Sequence, residues 1–188
     1  MRLDQLSAAE AVAMAYSKLS PGASLDPDRL NADVGVPDYD WRIVDGFEVS
    51  RIIEAVRSCD PVVQDWILWA HTGEPEGGKR GRLLQALVDR LDVSDRDLRK
   101  IGRALKMVSL ADALIVDWKA DSGGRRGTRR LAKVIGVNES TLRSRGPLGM
   151  VKREVEDIFQ EYENIMSLRV GMVLDAMQEE YSPYMIPG

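Results

Sequence analysis

Residues 128–147 are Thr-Arg-Arg-Leu-Ala-Lys-Val-Ile-Gly-Val-Asn-Glu-Ser-Thr-Leu-Arg-Ser-Arg-Gly-Pro, a pattern typical of two short helices joined by a tight turn. Gly136 stands where the first helix must end with a positive φ, which glycine adopts at little cost. Asn138 stands where a side chain can cap the second helix. The stretch therefore predicts a helix-turn-helix. Its apolar contacts are expected from Leu131, Ile135, Val137 and Leu142, and its close helix approach from Ala132.

This pattern has two interpretations. In the first, the second helix enters the major groove of DNA while the first helix crosses the backbone. In the second, the pair is an ordinary helical hairpin in an α-helical core. Agreement of all these positions within one short window favours the first interpretation.

Positive charge is concentrated around the motif. The whole chain has 26 basic and 30 acidic side chains, so its net charge of −4 does not by itself indicate a nucleic-acid partner. Residues 119–153, however, contain 10 basic and 2 acidic side chains, whereas residues 154–188 contain 1 and 8. A basic run is often only a solvated surface, but a cluster on this motif would neutralise phosphates and release their counterions. We therefore expect salt-dependent binding to double-stranded DNA.

The exposed positions of the second helix are candidates for base contacts. Arg143 can pair with a guanine edge, Glu139 can accept a hydrogen bond from cytosine, and Ser140 suits either. Gly146 and Pro147 are expected to end this helix after about two turns, so affinity must also come from elsewhere. The predicted base contacts are Glu139, Ser140, Arg143 and Ser144. The predicted phosphate contacts are Arg125, Arg126, Arg129, Arg130, Lys133 and Arg145.

The overall composition indicates an all-α protein. The chain of 188 residues is long enough to bury a core as one domain or two small ones. A single cysteine, Cys59, and a single histidine, His71, exclude an internal disulfide, a cysteine-rich zinc site and a two-histidine metal motif. We expect no metal and no cofactor. Because no apolar stretch approaches membrane-spanning length and no signal-peptide pattern occurs, we expect a cytoplasmic protein without membrane contact.

Periodicity and turn residues divide the chain into four predicted segments. The first is a short helix at 4–19 and a loop-rich stretch, the second is a set of helices, the third is the helix-turn-helix unit, and the fourth is a long helix with a tail. Their boundaries are 1–46, 47–107, 108–149 and 150–188. Further helices are predicted at 82–91, 95–106 and 109–120.

Two alignments within the chain are consistent with an internal duplication. Residues 91–99 align with 135–143 at an offset of 44, and Trp69 aligns with Trp118 at an offset of 49. The match predicts two tandem helix-turn-helix-like repeats, unless it is a chance agreement of helical periodicity. The first repeat has Asp92 in place of the turn glycine, so only the second is expected to bind DNA.

The C-terminal helix carries a seam of apolar residues in steps of four and three, typical of coiled coils. This seam predicts either a homodimer through 150–181 or a helix that packs on its own domain. The seam residues are Val151, Val155, Ile158, Tyr162 and Ile165.

A near match to a phosphate-binding loop occurs at 73–80. The nucleotide chemistry requires Ser or Thr after the lysine to hold Mg²⁺, and Arg80 stands there instead. Residues 62–70, which precede the loop, have helical rather than strand periodicity. No other catalytic arrangement stands out, so we expect a protein that is not an enzyme.

The segment 110–161 combines an apolar helix (Ala113-Leu-Ile-Val-Asp-Trp118), the run Arg130-Leu-Ala-Lys133 leading to Gly136-Val137, a short second helix and a further helix. In these features it resembles the C-terminal part of small phage regulators, particularly the Q-type late-gene antitermination proteins. It also resembles the sigma-factor region that contacts the −35 element. The resemblance covers about a quarter of the chain.

This resemblance implies binding near a promoter together with RNA polymerase or its sigma factor, in a bacterial host cell if the protein is phage-encoded. It implies that Arg143 and its neighbours touch DNA. The cysteine-based zinc site of some such proteins has no counterpart in this chain.

Together these observations predict a sequence-specific DNA-binding regulator of transcription, and the resemblance implies that it acts as a phage antitermination factor. Two alternatives remain open. One is a small terminase-type DNA-packaging subunit, in which the long C-terminal helix would help to form a ring. The other is a protein–protein adaptor that uses the helix-turn-helix only as a scaffold.

Overall fold

A computed structural model of the chain describes residues 3, 6–19, 40–72, 77–91, 101–120, 128–143 and 146–181. These ranges contain α-helices and no β-strand, so the predicted all-helical fold with a long C-terminal helix is confirmed. None of the helices there is both long enough and apolar enough to cross a membrane. The helices are α1 (Ala8–Leu19), α2 (Asp40–Arg57), α3 (Pro61–His71), α4 (Lys79–Arg90), α5 (Ile101–Ala120), α6 (Thr128–Ile135), α7 (Glu139–Arg143) and α8 (Pro147–Tyr181).

Helix α1 begins later than the predicted residue 4 because Ser7 and Glu10 form a capping box in front of it. The Ser7 N–H donates to Glu10 Oε2 at 3.0 Å, and the Glu10 N–H donates to Ser7 Oγ at 3.4 Å. The Ser7 hydroxyl donates to the same carboxylate oxygen at 2.7 Å. These bonds lower the pKa of Glu10 because they favour its charged form.

The first of two compact units comprises Met1–Glu74 and Asn164–Gly188. Within it α1 packs on α2 and α3, and Arg51 of α2 pairs with Glu180 of α8 at 2.8 Å. Pro61 is the first residue of α3, a position where its missing N–H costs nothing. The fully buried side chains that fill the described part of this core include Val12, Ile52, Trp66, Ile67, Met166 and Met177.

The second unit, Pro75–Glu163, contains α4 to α7 and the first half of α8. Helix α4 packs on α5, α5 also packs on α6, and α6 packs on α7. Trp118 of α5 meets Phe159 of α8 edge-on, with 5.2 Å between the ring centroids. The buried side chains of this core include Leu83, Leu87, Leu110, Ile115, Leu131, Leu142 and Val155.

The structure corrects one predicted boundary inside this second unit. The periodicity separates helices at 95–106 and 109–120, whereas the structure has the single helix α5 from Ile101 to Ala120. Nothing between 103 and 120 is Pro or Gly, and Met107 and Leu110 are both buried across the expected break. Pro61, which begins α3, aligns with Leu110 in the proposed duplication. The first proposed repeat therefore begins a new helix at the position where the second continues the helix α5. The turn of the first repeat falls within 92–100, outside the described residues.

Helix α8 also begins earlier than predicted, at Pro147 rather than Met150, because proline suits the first turn of a helix. Four of the five seam residues, Val151, Val155, Ile158 and Tyr162, are buried in the single chain. This part of α8 therefore packs within its own unit, and the homodimer through 150–181 stays a prediction. Ile165 is half-buried.

The near match to a phosphate loop follows a helix, α3, rather than the strand that precedes such loops in nucleotide-binding folds. Arg80 serves a structural contact instead. Its Nε and Nη2 donate to the two carboxylate oxygens of Asp112 at 2.7 and 2.6 Å, a bidentate pair between α4 and α5. Residues 73–76 lie outside the described part.

Candidate nucleic-acid interface

The turn between α6 and α7 is built on Gly136. Its φ of 67° lies in the left-handed region, as the sequence predicts. The Val137 N–H donates to the Ala132 carbonyl at 2.9 Å, and the Gly136 N–H donates to the Lys133 carbonyl at 3.4 Å. These two bonds form a Schellman motif, which satisfies carbonyls that the end of α6 would otherwise leave unpaired.

One face of the α6–α7 pair is buried in the second unit. Leu131 and Ala132 of α6 and Leu142 of α7 are each 2–3% exposed. Ile135 and Val137 are half-buried. The residues predicted to hold the two helices together therefore face the interior, which leaves the opposite face of the pair towards solvent.

The solvent face of α6 is cationic. Arg129, Arg130 and Lys133 are exposed, and none of them forms an ion pair with any residue that the structure describes. Because Arg129 and Lys133 are four residues apart, they lie on the same side of the helix. Val134 lies beside them and is 64% exposed. This face presents three cations that ligands can reach.

Helix α7 has only five residues, and its two predicted base contacts at either end are paired with each other. Arg143 Nη2 lies 2.5 Å from Glu139 Oε1, and the Arg143 side chain is 70% exposed. An exposed pair of this kind is worth little in stability and is easily exchanged for another partner. Ser140, between them, is exposed. The carboxylate predicted to accept from cytosine therefore holds the arginine predicted to contact guanine.

Asn138 does not cap α7 through its side chain, as the sequence predicts, but accepts a hydrogen bond through its backbone carbonyl. The Thr141 N–H donates to the backbone carbonyl of Asn138 at 2.9 Å, whereas the Asn138 side chain makes no hydrogen bond with a described residue. Its amide is exposed to solvent next to the turn.

Four of the predicted contact residues lie outside the part of the chain that the structure describes. Arg125 and Arg126 fall within 121–127, and Ser144 and Arg145 fall within 144–145, both outside the described residues. The six that the structure describes share the second unit.

A cleft of about 480 Å³ opens beside the turn. It contains a residue that the sequence patterns did not single out, Lys106 of α5, together with Lys133 of α6. Lys106 stands 27 positions before Lys133, so no helical spacing relates them. The remaining lining residues are Ala132, Gly136, Val137, Asn138, Thr141 and Leu148. Across the described ranges, no three His, Cys, Asp or Glu side chains gather as metal ligands would.

Comparison with models of known protein families, with curated proteins and with solved structures found no match to this chain.

Proposed function

We propose that this chain is a DNA-binding regulator of transcription and that α6 and α7 are its DNA-contacting unit. The observation that carries the proposal is the division of this pair into a buried apolar face and an exposed cationic face. The cations of that face, Arg129, Arg130 and Lys133, form no ion pair within the described residues. A structural hairpin needs the first face but not the second.

In this proposal α7 lies in the major groove and α6 crosses the backbone. Arg143 exchanges Glu139 for a guanine edge, because the exposed ion pair costs little to break. Arg129, Arg130 and Lys133 bind phosphates and set the position of the helix on the duplex. Specificity then rests mainly on Arg143 and Ser140.

The resemblance to Q-type antitermination proteins and to the −35-binding region of sigma factors extends the proposal. By that resemblance the protein acts beside promoters, together with RNA polymerase or its sigma factor, in the cytoplasm of a bacterial host. The acidic C-terminal segment 154–188, with 8 acidic and 1 basic side chain, is the surface we assign to a protein partner.

The proposal is tested by selecting bound fragments from a random duplex library at two salt concentrations. We expect one enriched motif with the wild-type protein. Arg143→Ala should cost about 1–3 kcal/mol on that motif and relax its specificity at one position. Arg129→Ala should weaken binding to all sequences alike and lower the salt dependence.

Other outcomes would favour the alternatives. No binding to any duplex at either salt concentration would contradict the proposal and favour a protein–protein adaptor. A large ring in a measurement of molar mass, with DNA binding retained, would favour a packaging subunit. A sequence-selective loss with Arg129→Ala would contradict the assignment of that residue to phosphate.

A further inference from the structure

The cleft beside the α6–α7 turn is the strongest unassigned feature of the second unit. It is bounded by α5, α6, the turn, α7 and the first turn of α8, all within residues that share this unit. Its volume of about 480 Å³ lies in the range of sites that take small organic groups. The composition of its lining indicates which groups fit.

Two cations stand on the lining of this cleft. Lys106 and Lys133 are exposed, and neither forms an ion pair with a residue in the described ranges. The side-chain amide of Asn138 adds two N–H donors that no described residue uses. These groups are donors of the kind that bind phosphate oxygens, and no carboxylate is among the lining residues.

The rest of the lining is apolar. Ala132 and Leu148 are buried and Val137 is half-buried, and all three line the cleft with carbon atoms. A bare phosphate would leave this apolar surface in contact with water. A phosphate joined to a deoxyribose satisfies both parts, because the sugar carbons cover the apolar residues while the oxygens meet the lysines.

We propose that this cleft binds one sugar-phosphate of the DNA backbone and that Lys106 is a phosphate contact contributed by α5. This inference rests on the proposed function. It extends the DNA-binding surface from the helix-turn-helix to a third helix. Thr141, which lines the cleft, lies between Ser140 and Arg143, so the bound backbone is the one that flanks the groove occupied by α7.

The test compares Lys106→Ala, Lys133→Ala and the charge-retaining Lys106→Arg in binding to labelled duplexes of two unrelated sequences. Arg153→Ala is the matched control, since it removes an exposed cation of the same unit that does not line the cleft. Because Lys106 and Arg153 are exposed, thermal melting should show that all these variants fold like the wild type.

We expect Lys106→Ala to weaken binding to both duplexes and to lower the slope of log K against log salt by about 0.9. Between 50 and 200 mM salt this difference corresponds to roughly a 3.5-fold smaller loss of affinity than in the wild type. Lys106→Arg should keep the wild-type slope, and Arg153→Ala should keep it as well.

The outcomes separate this inference from the proposed function. If the wild type binds duplex DNA and Lys133→Ala weakens it, but Lys106→Ala leaves affinity and slope unchanged, the contact by Lys106 is refuted while the function stands. If the wild type binds no duplex, the function fails first. If inorganic phosphate shifts the amide resonances of the cleft at concentrations at which a dinucleotide does not, the cleft is an anion site and the sugar-phosphate assignment is wrong.

Discussion

At the scale of single residues, one backbone angle determines how α6 leads into α7. Gly136 has a φ of 67°, and the space where a Cβ would stand is empty to 4 Å. Any cost of a larger residue there is therefore a cost of the backbone conformation and not of a steric clash.

We expect Gly136→Ala to lower the free energy of unfolding by about 1–2 kcal/mol, because the Cβ of alanine makes the left-handed backbone conformation less favourable than it is for glycine. Urea denaturation followed by circular dichroism measures the change. Gly136→Asn is the control and should lose less, since asparagine tolerates this region better. An alanine variant as stable as the wild type would contradict the Schellman geometry at this turn.

The buried side chain of Tyr162 makes the stability of the protein depend on pH at the alkaline end. Burial raises the pKa of Tyr162 above its ordinary value, and a hydrogen bond from Arg90 opposes this only in part. The unfolded chain then loses its tyrosine proton at a lower pH than the folded one. The stabilisation that this group contributes is therefore fully present below about pH 10, and it is lost as the pH rises through the folded-state pKa.

We expect the wild type to lose stability above about pH 10, with a slope from this group of at most about 1.4 kcal/mol per pH unit. Tyr162→Phe should be less stable at pH 7, because Arg90 loses an acceptor, yet should show a shallower alkaline loss. Denaturant midpoints from pH 7 to 11 measure both effects. Parallel curves for the two proteins would rule out this contribution.

At the scale of elements, the two helices of the candidate interface were the most predictable part of the chain. Their turn and buried face depend on residues within a few positions of one another, such as Gly136 and Leu142, whereas the side-chain cap predicted for Asn138 is not formed. The break predicted near residue 107 was wrong because the burial of Met107 and Leu110 outweighs a local change in pattern. Lys106 was missed because only tertiary packing brings it beside Lys133.

The bidentate pair of Arg80 and Asp112 joins α4 to α5. Hydrophobic periodicity could not predict this contact either. Both side chains are about one-third exposed, so water screens the pair in part. We expect a double-mutant cycle with Arg80→Ala and Asp112→Ala to give a coupling of about 1 kcal/mol. Arg80→Lys should recover only part of it, because an ammonium cannot form the fork. A coupling near zero would assign the contact no role in holding α4 on α5.

Helix α8 contains a weak position of its own, Gly171 in its interior. It is half-buried, and nothing lies within 4 Å of where a Cβ would stand. We expect Gly171→Ala to raise the free energy of unfolding by about 0.5–1 kcal/mol, since alanine loses less backbone entropy in a helix. Substitution of glycine by alanine is thus expected to lower the free energy of unfolding at position 136 and to raise it at position 171. A destabilised Gly171→Ala protein would show that the open space is needed.

At the scale of the whole molecule, the chain forms two compact units that share α8. The residues of α8 up to Glu163 belong to the same unit as α4 to α7. The residues of α8 from Asn164 onward belong to the same unit as α1 to α3. Cys59 is buried in the first unit, and burial raises the pKa of its thiol. Its reaction with a thiol reagent therefore reports opening of the first unit, while the alkaline response of Tyr162 reports on the second.

Under the proposed function, the five-residue length of α7 limits how much DNA sequence one copy of the protein can specify. Each base pair that is fully specified reduces the number of matching DNA sites about fourfold. A sequence of two specified pairs therefore occurs about once in every 16 positions. A bacterial genome offers at least about a million competing sites. In the proposed function, a helix this short therefore cannot by itself select one site in a genome. That function then requires a second DNA-bound chain to supply the remaining sequence specificity.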